Sequence, residues 1–532
     1  MKKTAAIIFR TVILLLAGIG IGIYISDPKH TERELGLSGF NNDKLTRILQ
    51  LVRHNYVDSV NVDSIEGGAI NNVLQNLDPH SVYLPAQQAQ SINEKLEGGF
   101  NGVGIEYQIL RDTLTVTQIV DNGPAAKSGL IEGDKIVEVN HKPFAGAGLS
   151  LQKINEVLHG AKGSSLTVKV LRYPYHNTFS YTIKRGYVDL SSLDAVYMAN
   201  KNTGYIKVSK FASTTDTDFR KAIIRLQTED LKALVLDLRG NGGGYLNAAT
   251  ALADEFLPKG KLIVYTRGAH EPRTDYFSTD SGLYQKGKLA VLIDEHSASA
   301  SEILSGALQD LDRAIIVGRR SFGKGLVQQQ FTFDDGSAVN LTVARYYTPS
   351  GRSIQKSYRG GVQNYRNELS ERMQKGELFS AQNNLKDSVF MRSKLYHTIN
   401  GKKVYAGGGI MPDIFVPEDT TGYTTLLTEL ARHQLFSAYV IDRMQPVLKR
   451  FDTADNFIKH FDFNDADIDK FLLYASRTLK EMDSREIKVA RSHIKRYLKA
   501  SAARFKWGSN AYYNVINQQD RDLTQALKAL RD

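Results

Sequence analysis

Twice within one region the chain passes from an apolar strand through a short turn into an amphipathic helix. "KALVLDLRGNGGGYLNAATALADEFL" does so through glycines, and "KLAVLIDEHSASASEILSGALQD" does so through serines. "AIIVG" adds another strand, and "GLVQQQFTFDDGSAVNLTVARYY" reads as a hairpin turning at Asp335-Gly336. Repeats of this order specify an α/β domain, over about residues 188–417. The second turn raises the functional question, because three serines stand at alternate positions where a helix begins.

At 532 residues the chain exceeds what one core supports, so further domains are expected. Residues 41–97 have helical spacing in "KLTRILQLVRHNYV" and "SIEGGAINNVLQNL", so a small helical domain is expected there. Residues 98–187 change to short alternating strands with glycine turns and two short helices. Residues 418–532 are helical in pattern. At the N-terminus, "MKKTAAIIFRTVILLLAGIGIGIYISD" has a lysine pair and an apolar run from Thr11 to Ile25, without a clear small-x-small cleavage site. Residues 1–26 are therefore expected to be an uncleaved signal anchor and 27–40 a polar linker. The basic flank puts the remainder outside the cytoplasm, in the periplasm if the cell is Gram-negative.

Composition removes several chemistries. The chain has no cysteine, which excludes disulfides, thiolate metal sites and cysteine nucleophiles. H-E-x-x-H, the P-loop, the EF-hand loop and the G-x-S-x-G elbow are all missing, and Tyr245 stands where the last glycine of a dinucleotide fingerprint would fall. No metal and no cofactor is expected. The formal charge of +11 is partly carried by Lys480–Lys506, with nine Lys/Arg against three Asp/Glu. There Ile487, Ala490, Ile494, Leu498 and Phe505 recur at helical spacing, so the lysines form a solvated helix face and no nucleic-acid partner is expected.

"FNGVGIEYQI" followed by "IVDNGPAAKSGLIEGDKIVEVNHKP" resembles a PDZ domain. In that family a glycine-flanked turn offers backbone N–H groups to the terminal carboxylate of a peptide, which adds as an extra strand. The resemblance assigns this loop to Gly102, Val103, Gly104 and Ile105. The glycines allow close approach to an anion, and Val103 and Ile105 are suited to line a pocket for an apolar last side chain.

Serine chemistry then has two supports. Ser299 precedes the stripe Ala300, Ile303, Leu304, Ala307, Leu308, so it sits at free backbone donors and the positive helix end. Ser299 with Glu302 also spells a capping box, which is the alternative reading. Lys324 lies between Gly323 and Gly325, where a neutral amine near a serine could act as base. Lowering its pKa from about 10.4 toward 7 requires roughly 4 to 5 kcal/mol of desolvation, hence burial. Strand alternation places Gln328 on the face of Lys324, and an amide orients an amine without charging it. "DLRGNGGGY" offers backbone donors for an oxyanion. His296 is so close to Ser299 in sequence that it would need a tight loop geometry, and S-x-x-K is uninformative because it recurs at Ser26, Ser150, Ser321, Ser353 and Ser492.

"LDPHSVYL", "DLRGNGGG", "SASASEILSGALQD", "GRRSFGKGLVQ", "YYTPSGRSIQ" and "GGGIMPD", with the PDZ-like segment between the first two, resemble the carboxy-terminal processing proteases over about residues 45–417. The resemblance implies a multidomain α+β chain with a crotonase/Clp-protease-like α/β core and an inserted PDZ domain. It implies Ser299 as nucleophile, Lys324 as base and Gln328 as its partner. Oxyanion donors would be the N–H of Ala300 and of Gly243 or Gly244. Protein substrates with apolar C-terminal tails and the membrane are the implied partners, with oligomer and adaptor left open. A catalytically silent PDZ scaffold in the cell envelope is the alternative from another class. The helical tail receives no role from the resemblance.

Overall fold

The computed structural model describes residues 44–146, 148–173, 177–380 and 394–531, which form two compact units, up to Asn76 and from Leu77 onward. The expected anchor and linker lie outside the described residues. Among the described residues, no helix is long and apolar enough to cross a membrane. The first unit holds helices Lys44–Asn55 and Val62–Gln75, the second capped by the Asn61 side chain on Ser64 N–H at 3.1 Å.

The helical domain expected over 41–97 is shorter than the sequence suggested. Residues 78–97 belong to the second unit, where Val82–Leu84 is a strand paired antiparallel with Ala338–Asn340. "DPHSVYLP" ends the helix and enters a sheet whose other strands come more than 170 residues later, which local periodicity does not reveal.

The second module enters and leaves through a two-stranded stem, Gly99–Gly102 against Gly186–Asp189. Its sheet runs in the order β1 (Ile105–Leu110), β2 (Thr113–Ile119), β3 (Lys135–Val139), β4 (Ser165–Arg172) and β5 (Asn177–Lys184), with helix α1 (Leu151–Leu158) between β3 and β4 in sequence. Leu114, Val116, Ile136, Ile154, Leu166, Val168 and Val170 fill its core. Strand β1 is an edge strand of this sheet, paired only to β2 among the described residues.

The larger domain is built on β6 (Leu193–Met198), β7 (Thr203–Val208), β8 (Ala233–Asp237), β9 (Lys288–Ile293), β10 (Ile315–Gly318) and Ile414–Phe415, adjacent in that order. The first pair is antiparallel and the others parallel. Strand β8 is buried throughout and β9 in all but its first residue, as expected for strands covered on both faces. One face packs on helices Thr215–Gln227, α2 (Leu246–Asp254) and α3 (Ala300–Asp310), through Phe219, Leu252, Ile303 and Leu304. A second sheet contains the hairpin β11 (Leu326–Thr332) and β12 (Ala338–Tyr347), which turns at Asp335-Gly336 with Gly336 at φ 82°.

The tail is a helical bundle with its own core of Leu430, Phe436, Phe457, Phe471, Ile494 and Leu498. Its long helix α4 (Ser484–Asn517) buries Ala490, Ile494 and Leu498 and breaks at Gly508, where φ is 78°. The last helix, α5 (Arg521–Ala529), covers the other face of the six-stranded sheet, with Leu523, Ala526 and Leu530 against Val235, Ala290 and Leu292.

Candidate active site

Strand β9 ends at Ile293 and helix α3 begins at Ala300, so the intervening turn must place a serine within six residues. Ser297 and Ser301 brace that turn. Ser297 Oγ accepts from Asp294 N–H (3.0 Å) and donates to the Leu238 carbonyl (2.9 Å), while Ser301 Oγ donates to the Asn241 carbonyl (2.8 Å). Ser299 is left at the tip with φ 56° and ψ −113°, a backbone conformation that costs a non-glycine residue of order 1–3 kcal/mol. His296 points outward, its side chain 59% exposed and nearest to Glu295.

Glu302, one turn into α3, is fully buried and accepts four hydrogen bonds. Oε2 takes the N–H of Ser299 (2.9 Å) and of Lys324 (2.8 Å). Oε1 takes Gly323 N–H (2.7 Å) and Ser321 Oγ (2.5 Å). One carboxylate therefore ties the backbone of the serine turn to the backbone of the "GKG" loop. Burial pushes its pKa up to about 7 against the pull of those donors. Tyr346 makes a second tie, its hydroxyl 3.1 Å from the Ser299 carbonyl and 2.6 Å from the Lys324 carbonyl. The Lys324 amine donates to Gln328 Oε1 at 2.9 Å, and burial lowers its pKa although the charges of Glu302 and Asp78 oppose this.

Lys324 and Gln328 meet across the junction of the "GKG" loop and β11. Lys324 stands ahead of β11, and the register of β11 against β12 shifts between Val327 and Gln328. The extra residue at that shift is Val343 of β12, so β11 itself runs unbroken through Gln328. On its other side Gln328 Nε2 donates to the carbonyl of His80.

The glycine turn lies against the serine. A Cβ on Gly243 would come within 2.8 Å of Ser299 Cβ and 3.0 Å of Ala300 N, and one on Gly244 within 2.1 Å of the Phe211 carbonyl oxygen. Asn241, buried in the turn, accepts Gly243 N–H on Oδ1 (2.8 Å) and Ala298 N–H on its carbonyl (3.0 Å). The Gly243 donor is thus shared with a side-chain oxygen, which the sequence did not disclose.

In the PDZ-like module, Gly104 has φ 77° and Gly102 packs under the Phe100 ring. Val103 differs from expectation: it is buried in the module's core with Leu114 and Val116, so of the two apolar residues only Ile105 keeps surface. Ile105, Tyr107 and Ile109 face that core, while Glu106, Gln108 and Leu110 face the tail.

Peptidase family S41 matches residues 202–364, a PDZ domain matches 115–172, and a family of unknown function matches 426–508 in the tail. The carboxy-terminal-processing protease of Bartonella bacilliformis is 35% identical over 360 residues, 65% of this chain and 80% of that protein. The chain belongs to the carboxy-terminal processing proteases. Carboxy-terminal processing protease CtpB of Bacillus subtilis is 34% identical over 318 residues, 59% of this chain and 65% of that protein. As a carboxy-terminal processing protease the chain is a serine-type peptidase of family S41, and its PDZ domain fits the binding of peptide C-termini.

For this S41 peptidase, sequence reading treated Glu302 only as a capping residue, because S-x-x-E has a sufficient local explanation. Its contacts with Ser321, Gly323 and Lys324 cross about 20 residues and leave no periodic trace. Tyr346 and His80 were missed for the same reason, although both stand in motifs that marked the family.

Proposed function

We propose that this carboxy-terminal processing protease is anchored in the cell membrane by residues 1–26, works outside the cytoplasm, and cleaves tail-bearing proteins with Ser299 and Lys324. The observation that carries the reading is the setting of Lys324: a buried amine held by an uncharged amide oxygen and fixed to the Ser299 turn through Glu302. A substrate ending in apolar residues adds along the free edge of β1, its carboxylate at the N–H groups of Gly102–Ile105. Lys324 takes the proton of Ser299 Oγ as that oxygen attacks the scissile carbonyl carbon. The N–H of Ala300 and a donor of the turn at Gly243 and Gly244 receive the oxyanion; Gly243 lies nearest to Ser299, its N–H resting on Asn241 Oδ1. Lys324 then returns the proton to the leaving amine, and water, deprotonated by the same lysine, releases the acyl group.

Mass spectrometry of the products from an unfolded substrate with an apolar C-terminus tests the chemistry. Ser299→Ala and Lys324→Ala should each abolish the products, and unchanged cleavage in both would overturn the assignment. Retention in carbonate-washed membranes, with the catalytic part digested by external protease in spheroplasts, tests the location.

A further inference from the structure

Gln328 is a two-ended group, and which end meets Lys324 decides whether the base is usable. With Oε1 toward the amine, Lys324 donates one N–H and keeps its lone pair for Ser299 Oγ–H. With Nε2 toward it, the amide would compete for that same lone pair. The Gln328 side chain has no internal preference between the two. Its far side is set by the carbonyl of His80, to which Nε2 donates. The reverse flip would put two acceptors face to face at His80 and aim an Nε2 N–H at the Lys324 lone pair.

The His80 carbonyl is itself immobilised. Asp78 accepts the N–H of His80 (2.8 Å) and of Ser81 (2.9 Å) and the Ser81 hydroxyl (2.6 Å). Thr342 fastens this turn to β12, donating Oγ1 to Asp78 (3.1 Å) and its N–H to Ser81 Oγ (3.1 Å). Thr342 is also the register partner of Gln328 across the hairpin. The turn and the amide it orients therefore hang from one cross-strand pair. The His80 ring, bonded to the Tyr365 hydroxyl at 2.8 Å and packed edge-on against Tyr365 and Phe322, closes the site beside the amine.

We propose that the turn Asp78–Ser81, joined to Thr342, is a positioning element that selects the Gln328 flip and so keeps the Lys324 lone pair aimed at Ser299. This rests on the reading of Lys324 as base. Neither Asp78 nor His80 touches the substrate in this role. The groups bearing on the Lys324 charge are Glu302 and Asp78, with His80 beside them held neutral because burial, aided by the lysine charge, pushes its imidazole down to about 3.

The test uses neutral substitutions in the full chain, so that no ionisable group is added or removed near Lys324. Ser81→Ala combined with Thr342→Val should lower kcat about tenfold with KM for a tail-bearing substrate unchanged. The acid limb of the kcat profile should move up by about half a pH unit as water reaches the amine. Thr342→Ser, which keeps the hydroxyl, should restore the wild-type profile. A double variant that melts as a folded protein yet keeps the wild-type kcat and acid limb overturns the positioning role. Lys324→Ala, measured alongside, separates the two failures: if it still cleaves, the base assignment falls and the positioning role with it.

Discussion

The helical tail is attached to the rest of the molecule at two places, and the attachments are of opposite kinds. At the catalytic sheet, Arg239 of the "DLRG" turn is enclosed by Asp237 (2.6 Å), Asp520 (2.8 Å) and Asp522 (2.9 Å), and Arg319 reaches Asp522 at 3.6 Å beside Glu295 and Glu418. At the PDZ domain, Asp442 takes Arg111 (2.5 Å) and Lys135 (3.0 Å), and Arg504 takes Glu106 (2.9 Å), with Arg111 63% exposed. A small apolar contact, Leu110 on Ala438 and Ile441, accompanies these pairs. Similar partners give opposite electrostatics. Burial wins at Asp522 and pushes it up to about 6 despite two arginines, whereas at Asp442 burial is overcome by hydrogen bonds from Arg111, Lys135 and Tyr474, which hold it below the usual range. The tail thus grips the "DLRG" turn by a desolvated network and the PDZ domain by pairs that salt can reach.

The comparison breaks most severely at Arg239. Arg239→Met removes the cation shared by three carboxylates, two of them buried, and should cost about 3–5 kcal/mol, read as a drop in thermal midpoint. Uncompensated buried charge, rather than a lost contact, is the cause.

The second effect has a sign that separates the two ends. A carboxyl raised in the folded state favours folding while protonated, so the Asp522 contribution is full below its ordinary value near 3.8 and is lost as pH rises to about 6. That span corresponds to about 3 kcal/mol. Asp442, lowered in the folded state, contributes above its ordinary value and loses that contribution as pH falls below it. Chemical unfolding across pH 3 to 7 should therefore show a falling component that Asp522→Asn removes and Asp442→Asn leaves in place.

The smallest effect is at the PDZ contact. Asp442→Ala should cost no more than about 1 kcal/mol in global stability. Hydrogen exchange in β1 and β3 should nevertheless rise, and roughly 1 M salt should produce the same rise in the wild type. An exchange pattern insensitive to both would mean that Leu110 and its neighbours alone hold the domain.

These contrasts also mark what the sequence could disclose. Ala300, Ile303 and Leu304 at helical spacing placed α3, and the serine turn before it followed. Lys324 and Gln328 are legible as a pair from their period-two spacing, whereas the ties that hold them, the loop to Glu302 of α3 and Gln328 to the His80 carbonyl, are not. Val103 was assigned to a binding pocket because an apolar residue beside two glycines looks available, and only packing shows it facing inward. The boundary at 97 differs because residues 82–84 pair with a strand more than 250 positions away. Nothing in Asp520 or Asp522 announces that its partner is Arg239, since a salt bridge between distant segments has no period.

The left-handed backbone of Ser299 has a consequence for how this position can change. Any side chain at φ 56° is strained there, and only glycine is at ease. Ser299→Gly should therefore melt above Ser299→Ala by the equivalent of about 1 kcal/mol, although both lack the hydroxyl. Folding alone would favour a residue that cannot react. The serine is a standing conflict between durability and work, and a descendant released from selection for cleavage would drift toward glycine at 299 and become sturdier as it fell silent.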